Sequence, residues 1–103
     1  MTNVLKIFVI ALFLFSCVAN PPIQQMSDAR QAIKATQKEI IKSQVDRQDK
    51  SYKLLSQAQQ ILKQAKKSLD DEDYEMAEKL AMDAKKMAQL SLQQLKQFLA
   101  PPE

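Results

Sequence analysis

Between Pro22 and Pro101 the sequence contains neither glycine nor proline, and its apolar residues recur at steps of three, four and seven. This spacing places apolar side chains on one face of an α-helix, which completes a turn about every 3.6 residues. Pro101 and Pro102 cannot continue a helix without losing backbone hydrogen bonds. The pattern therefore predicts an all-α fold for most of the chain.

Three helices are predicted, at about residues 22–44, 51–69 and 73–99. A polar segment at 43–51 and the acidic run at 70–73 separate them, and Asp73 is suited to cap the third helix. The core positions that the periodicity predicts are Met26, Ala29, Ile33 and Ile40, then Leu55, Ala58, Leu62, Ala65 and Leu69, then Ala77, Leu80, Ala84, Met87, Ser91, Leu95 and Phe98.

The short acidic joint favours folding the second and third helices into an antiparallel hairpin, onto which the first helix can pack. We therefore expect an antiparallel helical hairpin or a three-helix bundle. A second arrangement also fits, because residues 43–51 contain no helix breaker and the first two helices could be continuous. Asn20 is suited to cap the first helix, and Pro21 and Pro22 fit either its first turn or a stiff tether.

Residues 1–16 have the organisation of a cleavable signal helix. Lys6 precedes an uninterrupted apolar stretch from Ile7 to Phe15, and the small residue Ser16 follows it. As a helix, this stretch rises only about 14 Å, less than half of the roughly 30 Å hydrocarbon core of a bilayer. We expect these residues to be removed as a signal peptide, and a permanent membrane anchor is the alternative.

Cys17, the only cysteine in the chain, directly follows this segment. Together with Leu14, Phe15 and Ser16 it resembles a bacterial lipobox, although Phe15 is bulkier than the residue usually found at its position. The resemblance implies cleavage between Ser16 and Cys17 and a diacylglycerol on the Cys17 sulfur. Val18 stands where an aspartate would favour retention in the inner membrane, so the outer membrane is the expected destination. Residues 17–22 would then form the lipidated cysteine and a short proline linker, 23–99 the helical domain and 100–103 a tail.

The composition argues against an enzyme. Without histidine the chain lacks both a ready general base near neutral pH and an imidazole metal ligand. A lone cysteine excludes a paired-thiol redox or zinc motif, and the absence of glycine excludes a phosphate-binding loop. The contiguous acids at 70–73 do not have the alternate spacing of a calcium loop. We expect no catalytic residues, no metal and no cofactor apart from the covalent lipid on Cys17.

One group of charged residues is a candidate for binding a partner. Arg30, Lys34, Lys38 and Lys42 are each four residues apart and form what we call the basic ridge of the first helix. The ridge suits anionic lipid headgroups, peptidoglycan carboxylates or an acidic protein, or it simply keeps the helix soluble. The chain carries 15 basic and 12 acidic residues, and without Lys6 its net charge is +2, so nucleic acid is not an expected partner.

The helical region resembles a family of small, Ala-rich envelope lipoprotein domains of unknown function, some of which accompany an OmpA-like peptidoglycan-binding domain. The resemblance covers roughly residues 21–97, and Glu72 occupies a position where that family commonly has glycine. The residues that carry it are Ala29, Arg30, Ala32, Ile33, Leu55, Ala58, Leu62, Asp73, Tyr74, Ala77, Leu80, Ala81 and Ala84. The family implies no activity.

These observations predict a lipid-anchored, non-enzymatic helical protein of the bacterial envelope. It is expected to be an outer-membrane lipoprotein that faces the periplasm and acts as a structural or protein-interaction module. Its expected partners are the membrane through the lipid, an envelope protein or peptidoglycan, and a second copy of the chain, because the core is thin. The alternative is a soluble secreted or periplasmic binding or chaperone-like protein with an ordinary signal peptide.

Overall fold

A computed structural model of the chain describes residues 20–99, which form three helices. They are α1 (Ile23–Ser43), α2 (Lys50–Asp70) and α3 (Tyr74–Leu99), and no strand occurs in the described range. Each predicted boundary lies within one residue of the observed one. The predicted signal helix and the lipobox lie in residues 1–19, and the tail lies in 100–103. Both segments are outside the described residues.

The helices pack as an up-down-up bundle in which α3 is shared by the other two. α2 and α3 form an antiparallel hairpin with the most extensive contact, and α1 packs mainly on α3. The core is rich in alanine, because a methyl side chain lets two helix backbones approach closely. Its buried apolar residues are Met26, Ala29, Ile33, Ile40, Leu55, Ala58, Leu62, Ala65, Ala77, Ala81, Ala84, Ala88 and Leu95.

The predicted core of α1 is confirmed in full. In α2 the predicted core residue Leu69 is half-buried, beyond the last buried position at Ala65, and the predicted core of α3 is corrected. Phe98 was expected in the core but is 66% exposed. The Ser91 hydroxyl meets Ser51 at the start of α2, and α3 continues for about two turns beyond that level. Phe98 therefore lies beside the joint between α1 and α2 instead of between two helices. Ala81 and Ala88 are buried, whereas Leu80 and Met87 are half-buried at the edge of the core.

The joint after α1 separates α1 from α2, which excludes the continuous helix. Gln44 has a φ of 53°, in the left-handed region that ends a helix. Asp49 then caps α2: its carboxylate accepts hydrogen bonds from the backbone N–H of Ser51, at 3.0 Å, and from the Ser51 hydroxyl. These two bonds hold the pKa of Asp49 below its usual value.

The start of α1 differs from the expected capping by Asn20. Pro22 occupies the N-cap position and supplies no side-chain hydrogen bond. Residues 20–22 are not helical, so the prolines precede the first turn rather than forming part of it.

The acidic joint between α2 and α3 is a compact Schellman turn. The Glu72 N–H donates to the Leu69 carbonyl at 3.0 Å, and the Asp73 N–H donates to the Ser68 carbonyl at 2.8 Å. Asp73 then accepts a hydrogen bond from the Met76 N–H at 3.3 Å, which confirms it as the cap of α3. Glu72 has a φ of 61°, a conformation that glycine adopts without steric cost.

Two buried hydroxyl groups connect the helices through α3. The Thr36 hydroxyl lies 3.1 Å from the Ala88 carbonyl of α3 and 2.9 Å from the Ala32 carbonyl of its own helix. One turn further along α3, the Ser91 hydroxyl donates to the Ser51 carbonyl of α2. Each buried hydroxyl group has a hydrogen-bond partner. The two interhelical bonds fix the heights of α1 and α2 against the same segment of α3.

We expect Thr36→Val to lower the free energy of unfolding by about 1 kcal/mol, because it removes the bond between α1 and α3 at nearly constant volume. Urea unfolding followed by circular dichroism measures the change. Thr36→Ser keeps the hydroxyl and should retain the interhelical bond, although it loses a methyl group. Equal stability of wild type and the valine variant would show that the bond contributes nothing net.

We expect Glu72→Gly to raise the free energy of unfolding by about 0.5–1 kcal/mol, because it removes the Cβ that opposes the left-handed conformation. Glu72→Ala removes the same charge but keeps the Cβ, and it is the matched control. A gain of equal size in both variants would assign the effect to charge in the acidic joint instead.

Candidate functional site

The four residues of the basic ridge, Arg30, Lys34, Lys38 and Lys42, are all exposed on α1. Within residues 20–99, none of them has a carboxylate oxygen within 4.0 Å. No acid of α1 or α3 in this range pairs with a ridge cation. The ridge is therefore exposed to solvent and forms no ion pair among the described residues.

The ridge does not stay on one side of the bundle. Each step of four residues turns about 40° around the helix, so Arg30 and Lys42 are about 120° apart. Arg30 and Lys34 share a face with Gln37 and Ile41, which line the groove between α1 and α2. The two ends of the ridge consequently meet different surroundings.

Lys42 turns towards the opposite side of α1, where the acids of this helix lie. It is about 40° around the helix from Asp28, which faces α3. Lys38 lies between the two sides and points outward. Only the first half of the predicted ridge therefore belongs to the side that faces α2.

The side of α1 that faces α3 carries opposite charges that are already engaged. Lys85 Nζ of α3 lies 3.8 Å from Asp28 Oδ2. Gln24 donates to Asp28 at 2.9 Å, and Gln25 donates to Glu78 at 3.4 Å. These groups border an open groove of about 530 Å³. Its charges neutralise one another, so this groove has no excess of one sign to select a charged ligand.

Cations from both helices lie along the side of the bundle where α1 and α2 meet. Lys63 and Lys66 share a face of α2 with Tyr52, Ser56 and Gln59, which line the groove between α1 and α2. All four cations, Arg30, Lys34, Lys63 and Lys66, are exposed. We call this set the seam cations.

The seam cations lie at one height of the bundle. Ile40 and Leu55 line the same groove, and the two helices run antiparallel. Arg30, ten residues before Ile40, is therefore level with Ala65, and Lys34 is level with Ile61. This places the two cations of α1 beside Lys63 and Lys66. The two lysines of α2 were not predicted as part of a site, although their spacing from Tyr52 in a single helix indicates that all three share a face.

Two methionines and two tyrosines lie at the surface or at the edge of the core. Met76 and Met82 are 44% and 56% exposed, and Met82 borders the groove between α1 and α3. Tyr52 and Tyr74 are half-buried near the starts of their helices. Asp73 caps α3, and the described residues contain no group of three or more side chains arranged to hold a metal ion. None of the three described helices is long and apolar enough to span a bilayer.

Ser16 and Cys17, the predicted cleavage and lipidation residues, lie outside the described residues. Comparisons of this chain with protein-family models, with curated proteins and with solved structures find no match. The proposals below therefore depend on the residues and on the geometry of the bundle.

We expect Lys34→Glu to raise the free energy of unfolding by about 0.5–1 kcal/mol at low salt, because two repulsive pairs with Arg30 and Lys38 become attractive. Urea unfolding at low and high ionic strength measures the gain, which screening should remove. Lys34→Gln only removes repulsion and should give about half of it. A loss of stability in Lys34→Glu would mean that the ridge supports the fold.

Proposed function

We propose that this protein is a lipid-anchored, non-enzymatic helical protein of the bacterial envelope that serves as an interaction module. The observation that carries the proposal is the position of its only thiol. Cys17 follows an apolar stretch too short to span a bilayer and directly follows the small residue Ser16. A cysteine at that point suits attachment of a diacylglycerol, and the chain offers no second thiol for a disulfide.

The start of the bundle supports a tethering role. α1 begins at Ile23, six residues after Cys17, and residues 20–22 are not helical. Six extended residues reach at most about 20 Å, so an acylated Cys17 would hold the bundle close to the lipid surface. Pro21 and Pro22 restrict the backbone of this connection. The mechanism is thus a lipid at Cys17, a short stiff connection and a helical bundle that presents its surface to a partner.

The composition and the described surface support a binding role rather than catalysis. The sequence lacks histidine and glycine, and the exposed basic ridge has no carboxylate partner in the described range. Long cationic side chains on a helix suit contact with an anionic partner. We place the protein in the outer membrane facing the periplasm, because Val18 lacks the carboxylate that favours inner-membrane retention.

Metabolic labelling with radioactive palmitate tests the anchor. Wild type expressed in a bacterial host should incorporate label, and Cys17→Ala should incorporate none, because the acyl chains need the sulfur of Cys17. Val18→Ala changes the adjacent residue and keeps the thiol, so it should incorporate label as wild type does. Wild type without label would contradict the lipid anchor.

Mass spectrometry of the N-terminal peptide of the mature protein distinguishes the alternative. A chain that begins at Cys17 and carries the added mass of a diacylglycerol supports the proposal. An unmodified chain that begins at another residue would instead indicate a soluble secreted or periplasmic protein released from an ordinary signal peptide.

A further inference from the structure

We propose that the surface formed by α1 and α2 lies on an anionic phospholipid bilayer, with the seam cations in contact with the headgroups. This inference rests on the proposed function for its setting, because the lipid on Cys17 would keep the bundle beside a membrane. It goes further in assigning which face meets the bilayer and which lipid chemistry that face recognises.

Charge is segregated around the bundle. By helical geometry Arg30, Lys34, Lys63 and Lys66 lie on the side where α1 meets α2, beside the residues that line its groove. The acids of α1, Asp28 and Glu39, lie on the opposite side of that helix. On the α2 face that borders the groove, Asp70 is the one acid of the described range, and it lies at the C-terminal end of the helix. Among the described residues of α1 and α2, no carboxylate lies beside the middle of this surface, so it carries an excess of positive charge.

Exposed apolar side chains lie on the same face as the seam cations. Ile23 and Ile41 are each 69% exposed. Together with Arg30, Lys34 and Gln37 they fall within about 60° around α1. Ile23 and Ile41 are about 27 Å apart along the axis, with the two cations between them. This arrangement is typical of a helix that lies in a membrane interface, where cations meet headgroups and apolar side chains enter below them.

The shape of the surface also suits a bilayer. Two antiparallel helices side by side give a long, shallow face, and its described cleft of about 210 Å³ is small. Its lining includes Ile40, Ile41 and Leu55 and contains no charged residue. A flat surface with flexible cations suits a lipid surface better than it suits a compact ligand, which is usually bound in a deeper pocket. Among the described residues, Tyr52 is the single aromatic residue on this face, which therefore offers no series of rings for stacking nucleic acid bases.

The anchor and the face are compatible in one membrane. Ile23 is at the start of the face and is six residues from Cys17. This connection is short enough for the face to lie on the same leaflet that would hold the acyl chains of Cys17. A lipid chain and a basic surface commonly act together in membrane attachment. The lipid would hold one end of the bundle, and the seam cations would orient the rest of it against the bilayer.

Vesicle binding of the full chain carrying Cys17→Ala tests the face without any acyl group. The probe is vesicles with about 30 mol% phosphatidylglycerol in phosphatidylcholine, compared with phosphatidylcholine alone, and each seam cation adds favourable interaction with the anionic surface. The apolar segment at 7–15 contributes equally to both kinds of vesicle. The ratio of the two partition coefficients therefore isolates the contribution of charge.

We expect neutralising the seam cations (Arg30→Gln, Lys34→Gln, Lys63→Gln and Lys66→Gln together) to reduce that ratio by about tenfold or more. The matched control neutralises four exposed lysines elsewhere, namely Lys50, Lys79, Lys86 and Lys96, and it has the same net charge. The control set should retain most of the preference for anionic vesicles. An equal loss in both sets would show that net charge alone attracts the chain and would overturn the proposal.

A fluorescent label gives the orientation independently of affinity. In the Cys17→Ala background, a polarity-sensitive dye on Ile41→Cys should gain fluorescence with anionic vesicles. The same dye on Leu90→Cys should not, because Leu90 is exposed about 140° around α3 from Lys85, which faces α1. Equal responses at the two positions would contradict the orientation.

The outcomes separate this inference from the lipid anchor. Failure of palmitate labelling would remove the anchor but would leave the vesicle result intact, because that result uses a chain without an acyl group. If the seam variant instead lost binding to isolated peptidoglycan and kept its preference for anionic vesicles, the face would belong to the cell-wall polymer and the bilayer proposal would be wrong.

Discussion

The close packing of α3 on α2 is the constraint on which the rest of the structure depends. Fully buried alanines on both helices, including Ala58, Ala65, Ala81 and Ala88, leave little between the two backbones. Such a contact buries modest apolar area per residue, so its stability depends on fitted helices of sufficient length and on well-formed joints. The Schellman turn at Glu72 and the capping residue Asp73 supply the joint that holds the two helices at this distance.

The same alanine-rich core explains why α1 is attached through polar as well as apolar contacts. Met26, Ile33 and Ile40 provide the larger apolar side chains of α1, and Thr36 fixes its height on α3 through the Ala88 carbonyl. Apolar packing tolerates small shifts along a helix, whereas a hydrogen bond at 3.1 Å does not. The height of α1 in turn brings Arg30 and Lys34 level with Lys63 and Lys66.

The exposed face of α1 carries cations close enough to repel one another, where neutral residues would not. Arg30, Lys34 and Lys38 are spaced at four residues, which costs a few tenths of a kcal/mol per pair. Proteins often keep such destabilising groups where a surface serves binding. On the α1/α3 side, by contrast, Asp28 pairs with Lys85. The bundle thus has one groove whose charges neutralise one another and one side with an excess of cations.

The sequence alone determined the all-α class, the three helices, the cap at Asp73 and the core of α1, because helical periodicity and capping chemistry are local. It also predicted the basic ridge, but it could not show that the ridge divides between two sides of the bundle. That division depends on which neighbour each side of α1 meets.

Phe98 has helical spacing that suits the core, yet it is exposed because α3 extends past the start of α2. Gln44 ends α1 although no residue in that joint forbids a helix, and Lys63 joins Arg30 only once the helices are antiparallel. Such features arise from the lengths and heights of packed helices, which are properties of the tertiary structure and not of any one segment.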